Sequence, residues 1–456
     1  MATQLISTDT QRVVIGLGKT GYSMATWLAE QGLTFRVIDT RTAPPYAAQF
    51  VAEQPQVEVC LGRWQADWMN SANELYVSPG VALAEPVIAE AIARGARVVS
   101  DIGLYARQST APIIAVTGSN GKSTVVTLLG EVARHLGINA AVAGNIGKPV
   151  LDLLHEPHDI AILELSSFQL EMIDELNAQV AMVLNISPDH MDRYPDFAAY
   201  RLAKHRIFNG CESLVVNADD VLTQPLMSSK RPFQAYSLQR KDMGMLYGES
   251  NPHGVRIFDG LEERMAWDAL RIKGRHNLQN ILAVVSVAKL MGWPMPEVAQ
   301  AIGQFKGLPH RTEWVAEHEG ITYVNDSKGT NVGATIAAIE GLASDCAGRM
   351  HVLLGGDSKS ADFSALAKTC AVQGVSAYTY GRDGARIASV CTAAGVPTDS
   401  VTTMVEALAA ARNKATSGDW VILSPACASF DQFTNFEARG DAFVAAVETL
   451  LAGGES

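Results

Sequence analysis

Apolar positions along this chain gather in short runs, and most runs are followed by turn residues and a longer stretch with helical spacing. Arg12–Ile15 reads as a buried strand, Gly16-Leu-Gly18 as a turn, residues 23–31 as a helix and residues 35–38 as a second strand ending at Asp39. That is a βαβ opening. Weaker strands follow at Glu74–Val77 and Arg97–Val99. A second start comes at Pro112, with a strand at 113–116, a glycine-rich turn at 117–121 and a helix at 123–136. Strands at 160–163 and 180–184 and a long amphipathic helix at 277–291 complete this part. After Lys306-Gly-Leu-Pro309, strands at 321–324, 351–354, 377–380 and Trp420–Leu423 alternate with helical patterns such as 361–373 and 403–415. Apolar runs separated by helices imply parallel sheets covered on both faces. The expectation is three α/β domains in series, with boundaries near Gln108 and Lys306.

Length agrees, because 456 residues exceed one core. No apolar run reaches the roughly 18 residues of a membrane span, and the polar start of the chain lacks the pattern of a secretory signal. Six scattered cysteines include no C-x-x-C pair, which predicts reduced thiols and a cytoplasmic location. A net charge of −12 argues against a nucleic-acid partner. Any anionic substrate therefore needs local positive potential from a few lysines and arginines.

Thr117-Gly-Ser-Asn-Gly-Lys-Ser-Thr124 supplies such a place. It follows a strand and opens a helix, as a phosphate loop does, although only two residues separate Gly118 from Gly121. Glycines let backbone N–H groups of Gly118, Ser119, Asn120 and Gly121 converge on phosphate, and the helix N-terminus adds its dipole. Lys122 reaches the terminal phosphates, while the Ser123 hydroxyl, beside Thr124, suits Mg²⁺. Glu164 ends the next apolar run, where the ligand crevice of a parallel sheet lies, and suits Mg²⁺ as a second oxygen ligand. His190, after a third strand, reads either as a metal or phosphate contact or as a structural histidine. Gly16-x-Gly18-x-x-Gly21 with Asp39 has the form of a dinucleotide fingerprint. The separate ATP loop, the polar Thr40-Arg41 and the short first domain favour one uridine-type nucleotide diphosphate over NAD, with Asp39 free to accept bonds from ribose or base.

With these residues in hand, the chain resembles the bacterial cell-wall Mur ligases. Besides the phosphate loop, the matching stretches are Glu164-Leu-Ser-Ser-Phe-Gln169, Asp189-His-Met-Asp-Arg193, Gly274-Arg-His-Asn277, Pro309-His-Arg311 and Asn325-Asp-Ser-Lys328. Ser327-Lys-Gly-Thr-Asn-Val-Gly-Ala-Thr335, Leu354-Gly-Gly-Asp-Ser-Lys-Ser-Ala-Asp-Phe363 and Ser424-Pro-Ala-Cys-Ala-Ser-Phe-Asp-Gln-Phe433 resemble the member that uses D-glutamate. The resemblance implies a Rossmann-like UDP-binding domain over 1–108. It implies a central parallel-sheet P-loop ATPase domain over 109–306 and a C-terminal Rossmann-like α/β amino-acid-binding domain over 307–456. It also implies that ATP phosphorylates the terminal carboxylate of UDP-N-acetylmuramoyl-L-alanine and that the D-glutamate amine then displaces phosphate, in a cytoplasmic monomer. By the same resemblance Lys122 contacts phosphate, Ser123 and Glu164 hold one Mg²⁺, and His190 helps hold a second. Lys204 matches a lysine that the family carbamylates with CO₂, giving a metal-binding anion. Asn145, in Gly144-Asn-Ile-Gly147, matches a muramoyl contact. Lys19, Thr20, Asp39, Thr40 and Arg41 fall at the UDP positions. Asn277, Asn280, Arg311, Asp326 and Lys328 match groups around ATP, and Thr330, Lys359, Ser429 and Phe436 match the D-glutamate pocket.

Three readings compete. A sibling ligase with another amino acid, or a folylpolyglutamate-type ligase, shares the central chemistry; Lys359 with Ser429 suits a compact diacid, and the Asp-Asn-Pro-Arg motif of the diaminopimelate-adding sibling is missing. An NAD-dependent oxidoreductase leaves the ATP loop unexplained. A non-catalytic nucleotide-binding regulator needs no second metal, so Glu164, His190 and Lys204 together argue against it.

Overall fold

The computed structural model describes residues 10–189, 191, 193–226, 230–251, 254–268, 270, 272, 274–343, 345–358 and 361–452. They divide into two compact units: Met1–Leu246 with Ala283–Val298, and Tyr247–Leu282 with Ala299–Ser456.

The first unit holds two parallel sheets. β1 (Arg12–Ile15), β2 (Arg36–Asp39), β3 (Val59–Leu61), β4 (Glu74–Val77) and β5 (Arg97–Val99) lie in the order β3-β2-β1-β4-β5. β6 (Ile113–Thr117), β7 (Ala140–Gly144), β8 (Ile160–Glu164), β9 (Val180–Val183), β10 (Ser213–Asn217) and β11 (Phe233–Ser237) run β11-β10-β9-β6-β8-β7, parallel throughout. β6 and β8 are buried at every position, which is why they read as unbroken apolar runs. Both sheets send their carboxyl ends, at Ile15 and Asp39 and at Thr117 and Glu164, into glycine or polar loops.

The second unit contains all of β12 (Met245–Asn251) but its first two residues, together with β13 (Gly254–Asp259) and β14 (Glu262–Trp267), which are antiparallel to each other. Its main sheet comprises β15 (Glu313–His318), β16 (Ile321–Asn325), β17 (Met350–Gly355), β18 (Ser376–Tyr380), β19 (Thr398–Ser400) and β20 (Trp420–Leu423), ordered β15-β16-β20-β17-β18-β19. Only β15 is antiparallel to its neighbour in that sheet.

Several helices differ from expectation at their starts. The helix after β1 begins at Lys19, not residue 23, directly after the glycine turn, whose Gly18 is its N-cap. Gly21 lies inside this helix: a Cβ there would stand 1.7 Å from the Gly16 carbonyl oxygen, so glycine permits helix and strand to touch. The helix expected at 361–373 is shorter, Ser364–Val372, and the long one expected at 277–291 spans Arg275–Leu290.

Candidate active site

The phosphate loop is built as its sequence suggests, with support the sequence left unread. Gly121 caps the helix Lys122–His135 in the left-handed region, φ 84°, and no side chain caps the helix's N–H groups. Those donors are the natural partners of an anion. Asn185, just beyond β9, braces the loop from the neighbouring strand. Its side-chain oxygen accepts from the Asn120 N–H at 2.8 Å, and its amide donates to the Asn120 carbonyl at 3.0 Å. The Ser119 hydroxyl donates to the Ser187 carbonyl at 3.0 Å and meets the Tyr200 hydroxyl at 3.1 Å. Lys122 Nζ folds back onto the loop, donating to the Gly118 and Ser119 carbonyls at 2.8 and 3.1 Å.

Lys204 belongs to the same place. It stands near the end of the helix Phe197–His205, which Asp196 caps. Only 2% exposed, its Nζ donates to the Gly118 carbonyl at 2.9 Å and lies 4.8 Å from the centre of the Tyr200 ring. Burial, then the nearby Lys122 charge, push its ammonium down to about 7, against the opposing pull of Asp189 and Glu164. Lys204 is thus a buried group whose neutral form is within reach at ordinary pH, unlike the solvated surface lysine that helical spacing alone suggests.

Glu164, the last residue of β8, is 2% exposed. Its Oε1 accepts from Asn145 Nδ2 at 2.9 Å. Its Oε2 is buried and has no hydrogen-bond partner among the described residues. A buried carboxylate oxygen left bare is costly unless something fills the gap, and a hard cation fits that donor. Ser123, also buried, sits in the first turn of the helix after the loop. Among the described residues no three His, Cys, Asp or Glu side chains form a metal cage. Mg²⁺ needs none, since it commonly binds through few protein oxygens plus phosphate and water.

All six residues expected at the UDP substrate, namely Lys19, Thr20, Asp39, Thr40, Arg41 and Asn145, line one cavity of about 600 Å³. Gly16, Gly18, Trp64, Ser78 and Gln169 line it too. The expectation that Asp39 is free does not hold. Its carboxylate accepts from the Leu17 N–H at 2.6 Å and from the Arg41 guanidinium at 2.6 and 2.9 Å. Burial opposes its ionisation, but the Arg41 and Leu17 bonds outweigh that and hold its pKa below the ordinary carboxylate value. The acid thus fixes the glycine turn and orients Arg41, and the half-exposed Arg41 side chain is the group left for a ligand. Lys19 Nζ donates to the Gly147 carbonyl at 2.6 Å across the cavity.

The second unit carries the remaining set. Asn277 and Asn280 share a helix face and are bonded to each other at 3.2 Å, both buried. Asp326 follows β16; its carboxylate accepts from the Thr312 N–H at 3.2 Å and the Ser424 hydroxyl at 2.7 Å. It therefore braces the turn bearing Arg311, whose neighbours His310 and Thr312 both have positive φ. Burial raises the Asp326 pKa to about 7, against those bonds and the Arg311 and Arg439 charges. Lys328 Nζ sits 3.8 Å from the centre of the Phe436 ring, a cation–π contact. Thr330 is half-buried in the loop after Lys328, and Ser429 is buried after β20. Arg439, fully buried, ties this region together by donating to Ser327 Oγ at 3.0 Å and to the Ser327 and Cys427 carbonyls at 2.8 and 3.1 Å. Nothing in its helical spacing marks it. His190 and Lys359 lie outside the described residues.

Comparison with known proteins agrees with this architecture along the chain. Residues 10–100 match the N-terminal domain of MurD-like Mur ligases, 116–288 the Mur ligase middle domain and 310–427 the Mur ligase glutamate ligase domain. The UDP-N-acetylmuramoylalanine–D-glutamate ligase of Pseudomonas syringae pv. syringae is 47% identical over 447 residues, covering 98% of this chain and 99% of that one. The enzyme of the same name from Pseudomonas aeruginosa is 47% identical over 449 residues, with the same coverage. The fold is shared with a pseudomurein peptide ligase type C from Methanothermus fervidus, at TM-score 0.61 and 17% identity over 97% of this chain and 100% of that one. It is shared also with the UDP-N-acetylmuramate–alanine ligase of Thermotoga maritima, at TM-score 0.60 and 15% identity over 96% and 99%. On this end-to-end similarity the chain belongs to the Mur ligase family.

Proposed function

We propose that this chain is an ATP-dependent amide ligase that joins D-glutamate to UDP-N-acetylmuramoyl-L-alanine in peptidoglycan precursor synthesis. The observation that carries the reading is the meeting of Lys122, Lys204 and the bare Glu164 oxygen beside an uncapped helix start. Relatives named for that reaction match the chain at 47% identity over nearly their whole length.

The carboxylate of the muramoyl alanine attacks the γ-phosphorus of ATP, and ADP leaves. The D-glutamate amine then attacks the acyl carbon, and phosphate leaves as the amide forms. Two anions must approach in the first step, so positive charge has to screen them. Lys122 leaves its loop carbonyls for the phosphates. Glu164 and Ser123 would hold one Mg²⁺, and His190 with a carbamylated Lys204 a second. When bound, the metal ions supply charge neutralisation at the reacting oxygens. The neutral amine of Lys204, favoured by its surroundings, is the form that adds CO₂.

The 600 Å³ cavity takes the UDP end, with Lys19, Arg41, Thr20 and Thr40 around the diphosphate and Asp39 as their support. Asn277, Asn280, Arg311, Asp326 and Lys328 serve ATP, and Thr330, Lys359, Ser429 and Phe436 serve D-glutamate. This divides the chain functionally at about residues 108 and 306. No described helix is long and apolar enough to cross a membrane.

The test is a matrix of UDP-muramoyl precursors against amino acids, read by product mass and phosphate release. Phosphate release only with UDP-N-acetylmuramoyl-L-alanine and D-glutamate together supports the reading. Turnover with a different amino acid replaces it with that of a sibling ligase.

A further inference from the structure

Asn145 occupies a position that neither the phosphate loop nor the cavity explains alone. It follows β7, and its backbone N–H continues the ladder by donating to the Glu164 carbonyl at 2.8 Å. Its side chain turns to the same residue and donates to Oε1 at 2.9 Å. Glu164 is thus gripped twice by one residue, through main chain and side chain. The grip leaves Oε2 as the bare oxygen. Gly144 makes the approach possible: its φ is 105°, and a Cβ there would stand 2.2 Å from the Glu164 carbonyl oxygen. Any side chain at 144 would push β7 off β8 and carry the carboxamide out of reach.

The same Asn145 lines the cavity, in a loop that Lys19 pins through Gly147. A carboxamide has two donors and an acceptor. One donor is committed to Glu164, which leaves its oxygen and second N–H for whatever fills the cavity. A bond accepted by that oxygen polarises the N–H toward Glu164 and stiffens it. The residue is therefore a bridge between two pockets, made of a single side chain.

We propose that Asn145 is a positioning residue that aims the Glu164 carboxylate at Mg²⁺ and couples Mg²⁺–nucleotide binding to occupancy of the cavity by the UDP-sugar substrate. The inference rests on the reading of Glu164 as a metal ligand given above. Residues that orient metal ligands typically change metal affinity by about 10- to 100-fold when removed. Coupling between two ligands is reciprocal, so each must tighten the other by the same factor.

The experiment is calorimetric titration of the full chain with the non-hydrolysable analogue AMP-PNP, across a Mg²⁺ series, with and without UDP-N-acetylmuramoyl-L-alanine and without D-glutamate. No turnover is involved. In the unaltered chain Mg²⁺ strengthens nucleotide binding, and the UDP-sugar strengthens it further. Asn145→Ala shifts the Mg²⁺ midpoint upward about tenfold or more before any sugar is added, and the sugar no longer changes it. Asn145→Ser, which keeps a hydroxyl too short to reach Glu164, and Gly144→Ala, which displaces the loop, repeat the shift; circular dichroism reports whether each is folded. An unchanged Mg²⁺ midpoint in a folded Asn145 variant overturns the positioning role, even if the sugar binds more weakly. Persistence of the sugar effect overturns the coupling. If the unaltered chain binds nucleotide without regard to Mg²⁺, the assignment of Glu164 itself fails, which is a different result.

Discussion

Two buried ionisable side chains, Lys204 and Asp326, stand out at the level of single residues, and each has a pH signature. Lys204 loses its proton near pH 7, where an ordinary lysine stays charged to about 10.5. Below that point its nitrogen has no lone pair to offer, and above it the neutral amine is available for the proposed addition of CO₂. With ¹³C-labelled CO₂ and bicarbonate, a carbamate resonance should therefore strengthen between about pH 6 and 8 and vanish in Lys204→Ala. A resonance that ignores pH across that window would count against Lys204 as its source. Asp326 behaves in the opposite sense. Its unfolded pKa is 3.8 and its folded one about 7, so between those values the folded chain keeps a proton the unfolded chain has released. Its contribution to stability is complete below the lower value and declines as pH rises through the higher one. In urea midpoints measured from pH 4 to 8, the difference between the unaltered chain and Asp326→Asn should move against the unaltered chain as pH rises; a constant difference would refute the burial argument. Neither property was legible in the sequence. A lysine on a helix and an aspartate after a strand look ordinary until the fold removes water from them.

The elements around the site were more readable. β1, β4, β5 and β20 fall where apolar runs place them; in β1, β4 and β20 every position after the first is buried, which leaves no polar alternation to confuse them. β7 was not read, since Ala-Ala-Val-Ala-Gly carries too little apolar bulk to mark a strand. The hairpin β13–β14 was missed because so few of its positions are buried, Gly254 and Ile257 in β13 and Met265 in β14, that no apolar run marks it. Helix starts slipped where a glycine is the N-cap, as Gly18 is before Lys19 and Gly121 before Lys122. The phosphate loop depends on one such glycine. Gly121→Ala forces a Cβ into the left-handed region, which costs roughly 1–2 kcal/mol. The urea midpoint should fall by a corresponding amount, and AMP-PNP affinity should fall further than stability, because the N–H groups that meet phosphate shift with the strained residue. Equal nucleotide affinity in the variant would mean that the loop does not use this backbone geometry.

For the whole molecule, three sheets and their order in the chain were legible, whereas the contents of the second unit around Asn277 and Asn280 were not. Helical periodicity predicts the helix bearing those asparagines but cannot say which compact body its first turns join. The thiols agree with the reading of scattered reduced cysteines. Cys211, Cys370, Cys391 and Cys427 are buried, and burial pushes the Cys370 and Cys427 thiols up to about 12. Ellman's reagent should label Cys60 first in the folded chain and the buried four only on unfolding. Rapid modification of all six without denaturant would contradict this packing. Finally, Lys122 and Lys204 both donate to the carbonyl oxygen of Gly118. Lys122 donates to the Ser119 carbonyl as well, so the two side chains brace the backbone of their own loop. On the proposed reading a triphosphate tail carries far more negative charge than a carbonyl oxygen and draws Lys122 off that brace. The side chain that steadies the loop is then the one that greets the nucleotide.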